Sequence, residues 1–169
     1  QDGSVLSYTD IRKFGSVRLL DEAQLQQKLA AFGPEPLGKE FTVSLFQEML
    51  SKKKKANIKV TLMDQNFIAG IGNIYAQEAL YLAGISPKRK MGTLKEKEIK
   101  KLHHTIQYVL RKSIAHNGTT VDNYVHIEGV GAFQKHLTVY GKKKCPRKHE
   151  LTKIYQRGRG TYYCTKCQR

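Results

Sequence analysis

Four residues near the C-terminus constrain this chain more than anything before them: Cys145, His149, Cys164 and Cys167, in the order C-x3-H-x14-C-x2-C. Two close pairs of soft or borderline ligands suit a tetrahedral metal site, with zinc the expected ion. The C-x2-C turn lets both sulfurs face one ion, and the stretch between the pairs is long enough for a β-hairpin that returns to it. A unit of about 30 residues has too little core to fold by itself and takes its folding free energy from the metal. These are the chain's three cysteines, an odd number crowded into one place, which argues for metal binding in a reducing compartment and against disulfides. The competing reading, free thiols beside a surface His149, rests on Lys148, which stands where the commoner C-x2-C spacing has its cysteine. A closed four-ligand site leaves no open position, so the one Zn2+ is expected to be structural. Lys153, Arg157 and Arg159, with Gly158 and Gly160, lie between the ligand pairs. They make a basic hairpin tip suited to phosphate.

The charge balance points to the same partner. Thirty Lys and Arg against 14 Asp and Glu leave a formal charge of +16, more self-repulsion than solubility requires. A polyanion explains it, nucleic acid first and an anionic membrane surface second, because no stretch approaches the roughly 20 apolar residues of a spanning helix. No segment reads as a signal peptide. With 169 residues, 40% of them hydrophobic, two small units fit better than one large one.

Along the chain, VLSYTDIRKFGSVRLL (5–20) alternates apolar and polar residues about a charged turn at Asp10–Lys13, as a β-hairpin does. Its unpaired edges resemble the end of a larger sheet, so an upstream region is expected. Residues 21–32 have helical spacing at Leu25, Leu29 and Phe32. Gly33, Pro34, Pro36 and Gly38 then mark a linker. Apolar residues at 41, 45, 46, 49 and 50 predict a helix running into Lys52–Lys55, a solvated helix end or a phosphate contact at even weight. Gly70 and Gly72 interrupt a helical pattern that resumes from Asn73 to Leu82, so two helices meet at a tight turn. A long helix is predicted over Leu94–His116, with His103 and His104 on its surface and Asn117-Gly118 as its stop. Residues 119–131 read as loop and 137–141 as the start of a strand. The expected organisation is residues 1–32, a linker at 33–40, a helical domain at 41–136 with a loop at 118–133, and a zinc finger at 137–169.

GIGNIYAQEAL (70–80) together with the tail resembles the helix-two-turn-helix and zinc finger of the formamidopyrimidine-DNA glycosylase and endonuclease VIII family. DIRKFG (10–15), GPEPL (33–37), LMDQ (62–65), NGTTVDNY, GAFQ, VYG and GRGTYYC continue the likeness in the same order. It implies a mainly α fold with small β: a helix-two-turn-helix domain and a C-terminal β-hairpin zinc finger, preceded by a remnant of an N-terminal β-sandwich domain. The resemblance makes Asn73 a holder of a backbone phosphate, with Lys55, Lys59 and Tyr140 as further DNA contacts. Arg12 and Phe14 become the pair that enters the duplex, a planar cation facing the orphaned base and an aromatic wedge. Arg159 becomes the finger arginine that clamps phosphates and is assigned proton donation in δ-elimination. Clamping is the better-supported role, because the pKa of arginine makes it a poor acid near neutrality. Thr119, Thr120 and Tyr124 fall in a loop that closes over an everted base.

Two departures stand out. His149 replaces the usual second cysteine, as in some endonuclease-VIII-like members. The proline amine and adjacent glutamate that begin the family's chemistry, and its N-terminal-domain lysine, are not in this chain, so it is expected to be inactive alone. The implied function is the damaged-DNA-binding portion of a bifunctional base-excision-repair glycosylase and AP lyase for oxidised purines, with β,δ-elimination in the complete protein. An endonuclease-VIII-like enzyme for oxidised pyrimidines and a non-catalytic DNA-binding protein that has lost its catalytic domain are the alternatives. The expected partner is double-stranded damaged DNA, with no membrane, for a monomeric protein located inside the cell with DNA.

Overall fold

The computed structural model describes residues 2–10, 15–119 and 131–169. Arg12, Phe14, Thr120 and Tyr124 therefore lie outside the described residues. The chain divides into two compact units, Gln1–Ala31 and Phe32–Arg169.

In the first unit, α1 spans Glu22–Ala30 and begins with a capping box. The Asp21 carboxylate accepts from the Gln24 N–H at 2.8 Å while the Gln24 side chain accepts from the Asp21 N–H at 3.2 Å. This closes two of the orphan donors that every helix start leaves. The predicted hairpin is not formed: residues 2–10 and 15–20 contain no strand. Val5 and Leu6 are each 86% exposed and Leu19 fully so. A two-stranded ribbon is marginal by itself in water, and the alternation of 5–20 has no apolar face to bury against inside this unit.

The second unit is helical with one hairpin. Thr42 caps α2 (Val43–Lys52) and Asn57 caps α3 (Ile58–Leu62), each through its side-chain oxygen. α4 runs from Asn73 to Ala83 and stops at Gly84, whose φ of 78° is a left-handed terminator. α5 covers Glu96–Ile114, slightly inside the predicted range, and packs along α4. Phe46, Ile58, Leu62, Ile68, Ile71, Leu80, Leu102 and Ile106 form the centre of the core. Each such side chain contributes about 1.5–3 kcal/mol on burial. The apolar run after Ile58 stays helical only to Leu62. From there Gln65 takes over the backbone, accepting from the Gly70 N–H at 2.9 Å and donating to the Ile71 carbonyl at 3.0 Å. It thereby shapes the turn that leads into α4. The proline-rich segment is pinned to this unit, with Gly33 N–H donating to Gln65 O and Ala69 N–H to Pro34 O. A side chain at Gly33 would meet the Phe67 carbonyl at 2.4 Å, which explains the glycine.

Two sequence expectations fail here. His103 is buried, not on the surface of α5: its ring stacks on Phe41 at 4.7 Å and its Nε2 bonds the Phe41 carbonyl at 2.7 Å. Position 103 adjoins Leu102 on the apolar stripe, and α2 packs there. His104 is exposed as expected. Residues 137–141 form no strand, for a reason that lies in α4 and is described below.

In the tail, β1 (Thr152–Gln156) pairs antiparallel with β2 (Arg159–Tyr163) between His149 and Cys164, as the ligand spacing predicted. Arg157 and Gly158 have φ of 47° and 71°, the paired positive angles of a two-residue turn that matches strand twist. The chain end ties the finger to the end of α4: Arg169 N–H donates to Gly84 O and Ser86 N–H to Arg169 O. Gln168 adds a buried bond to the Ile85 carbonyl.

Candidate nucleic-acid interface and metal centre

Gly72 stands at the N-cap of α4 and supplies no side-chain acceptor, so the first amides of the helix are left for a ligand. That is the arrangement by which a helix N-terminus takes an anion. Asn73 follows as the first helical residue. Its Oδ1 accepts from Lys59 Nζ at 2.6 Å and its Nδ2 donates to the Gly160 carbonyl at 3.2 Å. Lys59 has no exposed surface. Burial, and then the nearby charge of Arg159, lower its pKa to about 8. Arg159, exposed at the start of β2, thus shares one electrostatic neighbourhood with Lys59 and Asn73. Such a group of one helix start, one amide and two cations can hold a phosphate oxygen.

The tetralysine divides. Lys52 pairs with Glu48 at 2.6 Å and Lys53 with Asp64 at 3.3 Å, so these two stabilise their own surface. Lys54 and Lys55 are exposed in the following turn. No described hydrogen bond joins Lys55 to the Asn73 group.

Tyr140 is half-buried and meets Tyr162 of β2 edge-on at 5.8 Å. It is held by a residue to which the sequence reading gave no role. Glu78 of α4, 2% exposed, accepts from the backbone N–H groups of Thr138 at 2.7 Å and of Val139 and Tyr140 at 2.9 Å. The Thr138 hydroxyl donates to it as well. These amides, committed to a carboxylate, cannot enter a sheet ladder, so the predicted strand is absent. Gln77 is the second residue of this kind, buried beside Asn73. The one signal for both in the sequence is a polar pair set among Ala76, Ala79 and Leu80 on an otherwise apolar helix.

Thr119 pairs with Ala132 in an isolated bridge, so the two ends of the 118–133 loop meet. Its hydroxyl is buried with no hydrogen-bond partner among the described residues.

The four tail ligands converge. One donor atom each from Cys145, His149, Cys164 and Cys167 lies within 4.8 Å of all the others. His149 Nδ1 is 3.3 Å from Cys167 Sγ and 3.7 Å from Cys164 Sγ. Donors about 2.0–2.3 Å from a tetrahedral ion stand roughly 3.5–3.8 Å apart, so the cluster could hold a metal with little movement. The backbone explains how a C-x3-H spacing works. Lys148 takes a φ of 61°, and Cys145 N–H donates to His149 O at 2.9 Å while Lys148 N–H donates to Cys145 O at 2.8 Å. Burial, then a hydrogen bond with Cys145, raises the pKa of Tyr81 on α4. Among the described residues no helix is long and apolar enough to cross a membrane.

With this geometry in hand, relatives can be compared. The profile of the formamidopyrimidine-DNA glycosylase H2TH domain matches residues 32–125. The formamidopyrimidine-DNA glycosylase of Geobacillus kaustophilus is 42% identical over 174 residues, covering 99% of this chain and 63% of its own length. Among solved structures, a Lactococcus lactis Fpg variant in complex with Fapy-dG containing DNA aligns with a TM-score of 0.88 and 40% identity, covering 95% of this chain and 61% of that one. MutM in complex with carbocyclic 8-oxo-G containing DNA aligns at 0.86 and 39%, covering 95% of this chain and 60% of that one. The chain thus spans less than two thirds of these relatives. The matched domain takes in over half of the chain's residues and is followed by the small hairpin beside the Cys/His cluster, and the chain belongs to the formamidopyrimidine-DNA glycosylase family.

Proposed function

We propose that the chain is the damaged-DNA-binding portion of a bifunctional base-excision-repair glycosylase and AP lyase acting on oxidised purines such as 8-oxoguanine and formamidopyrimidines. The observation that carries this is the chain of contacts from Lys59 to Asn73 and from Asn73 to the carbonyl of Gly160, the neighbour of Arg159, which sets the open start of α4 beside a basic hairpin. The α4 amides, Asn73 and the two cations grip the phosphates beside the lesion, and Tyr140 and Lys55 add contacts along the strand. Arg12 and Phe14 fill the gap left by the everted base, and Thr119, Thr120 and Tyr124 act in the loop over it. The complete protein then hydrolyses the glycosidic bond and cleaves the sugar by β,δ-elimination, with clamping the better-supported role of Arg159 beside the proton donation the family assigns to it. The purine preference draws on the names of the relatives and on the Fapy-dG and 8-oxo-G complexes.

Cys145, His149, Cys164 and Cys167 hold one zinc in this reading, and the donor set fits it. When bound, the ion supplies folding energy and no reaction chemistry, since four protein ligands close its shell. The protein acts as a monomer, inside the cell, on double-stranded DNA.

The test is the salt dependence of binding to a duplex carrying an abasic-site analogue. Arg159→Ala lowers the steepness of log affinity against log salt by about one per lost phosphate contact. An unchanged slope removes Arg159 from the clamp. Borohydride treatment of these 169 residues on abasic DNA gives no covalent adduct, because the chain lacks the amine nucleophile; a trapped adduct overturns the inactivity.

A further inference from the structure

Gln77 lies one turn into α4, is 1% exposed, and has every atom of its amide engaged. Its Nε2 donates to the Asn73 carbonyl at 2.9 Å, to Asn73 Oδ1 at 3.1 Å and to the Gly160 carbonyl at 3.0 Å. Its Oε1 accepts from the Tyr162 N–H at 2.6 Å. The partners are the first residue of α4, which also receives the Lys59 ammonium, and two residues of β2 that follow Arg159, Gly160 and Tyr162. Gly160 O accepts from both Asn73 and Gln77, so the bonds form one closed network across 83–87 residues of sequence.

Resting on the proposed phosphate grip, we infer that Gln77 is a positioning residue that locks the α4 start and the hairpin into a single rigid clamp, so that Asn73 and Arg159 bind DNA as a coupled pair. A buried amide that only had to be satisfied could bond within its own helix. This one spends a donor and its acceptor on the opposite element, at the two positions one and three residues after the arginine. A network with both ends fixed removes the freedom that Asn73 and Arg159 would otherwise lose on gripping the strand. Two groups pre-set in this way depend on each other, because freeing either slackens the other.

A double-mutant cycle tests this with the full chain and a duplex carrying a tetrahydrofuran abasic analogue. With Gln77 present, Asn73→Ala and Arg159→Ala each weaken binding, and the pair together loses about fivefold less than the product of the single losses. In a Gln77→Leu background, of similar volume, the losses multiply to within about twofold. Gln77→Glu keeps the acceptor for Tyr162 but turns a carboxylate oxygen toward the Gly160 carbonyl; it abolishes the coupling too and serves if the leucine variant does not fold. Coupling that persists in these backgrounds overturns the inference while leaving the phosphate reading intact. If neither single substitution weakens binding, the phosphate reading itself fails, and Gln77 is reduced to a buried hydrogen-bonding residue.

Discussion

Lys59 is the residue whose physics most directly reports on binding. Its ammonium is buried against Asn73 and near Arg159, which lowers its pKa to about 8. In the free protein it carries less than full charge at mildly alkaline pH, whereas a phosphate beside it favours the ammonium form. The complex therefore holds more proton than the free protein. Duplex affinity falls as pH rises through about 8, by up to roughly tenfold per unit, and titrations at pH 7, 8 and 9 measure it. Lys59→Met flattens that dependence; a dependence identical in the variant removes Lys59 from the site. For stability the sign is opposite: the folded pKa lies below the unfolded one, so the cost of the buried charge is full below about 8 and is relieved as pH climbs from there toward the unfolded value near 10.5. Nothing in KKKKANIK distinguishes Lys59 from its neighbours; Ile58 and Leu62 bury the turn of α3 on which it sits, and burial came with the packing.

α4 does three jobs with one set of eleven residues. Its N-terminus is open and meets Lys59 through Asn73, Ala76, Ala79 and Leu80 fill the core, and Gln77 and Glu78 reach outward to the hairpin and to residues 138–140. Glu78→Gln replaces one carboxylate oxygen with an amide N–H aimed at backbone donors. It is expected to cost about 2–3 kcal/mol in denaturant unfolding and to speed amide exchange at Thr138, Val139 and Tyr140. Equal stability and exchange in the variant would mean that the carboxylate does not hold this segment. The helix itself was legible in the sequence, from its apolar spacing and from Gly70 and Gly72 before it. Its polar bonds were not, because Glu78 and its acceptor-seeking amides stand 60–62 residues apart and no local pattern links them. The same blindness produced the strand expected at 137–141: VYG alternates like a strand, but its amides were already spoken for.

Taken whole, the helical unit is built on an apolar core and the tail on four converging Cys and His donors. Chelation with EDTA is expected to unfold residues 145–169 while α2, α4 and α5 keep their helicity by far-ultraviolet circular dichroism, and His149→Ala to lower zinc affinity by at least tenfold. A variant that binds zinc as tightly as the parent would strike His149 from the ligand set. What the sequence by itself determined are the features written in short-range spacing: the four converging Cys and His residues and the hairpin between them, the long helices, the glycine-marked turn before α4, and the basic charge. Each depends on residues a few positions apart, whose geometry the backbone fixes. What only the tertiary structure decided is which polar residues meet. His103 turned inward because the segment leading into α2 offered the Phe41 ring and carbonyl. Residues 2–10 and 15–20 formed no sheet because nothing among the described residues of their unit covers them. Lys59, Asn73, Gln77 and Gly160 became one network because packing brought α4 against β2, a meeting of chain segments more than 80 residues apart that no periodicity encodes.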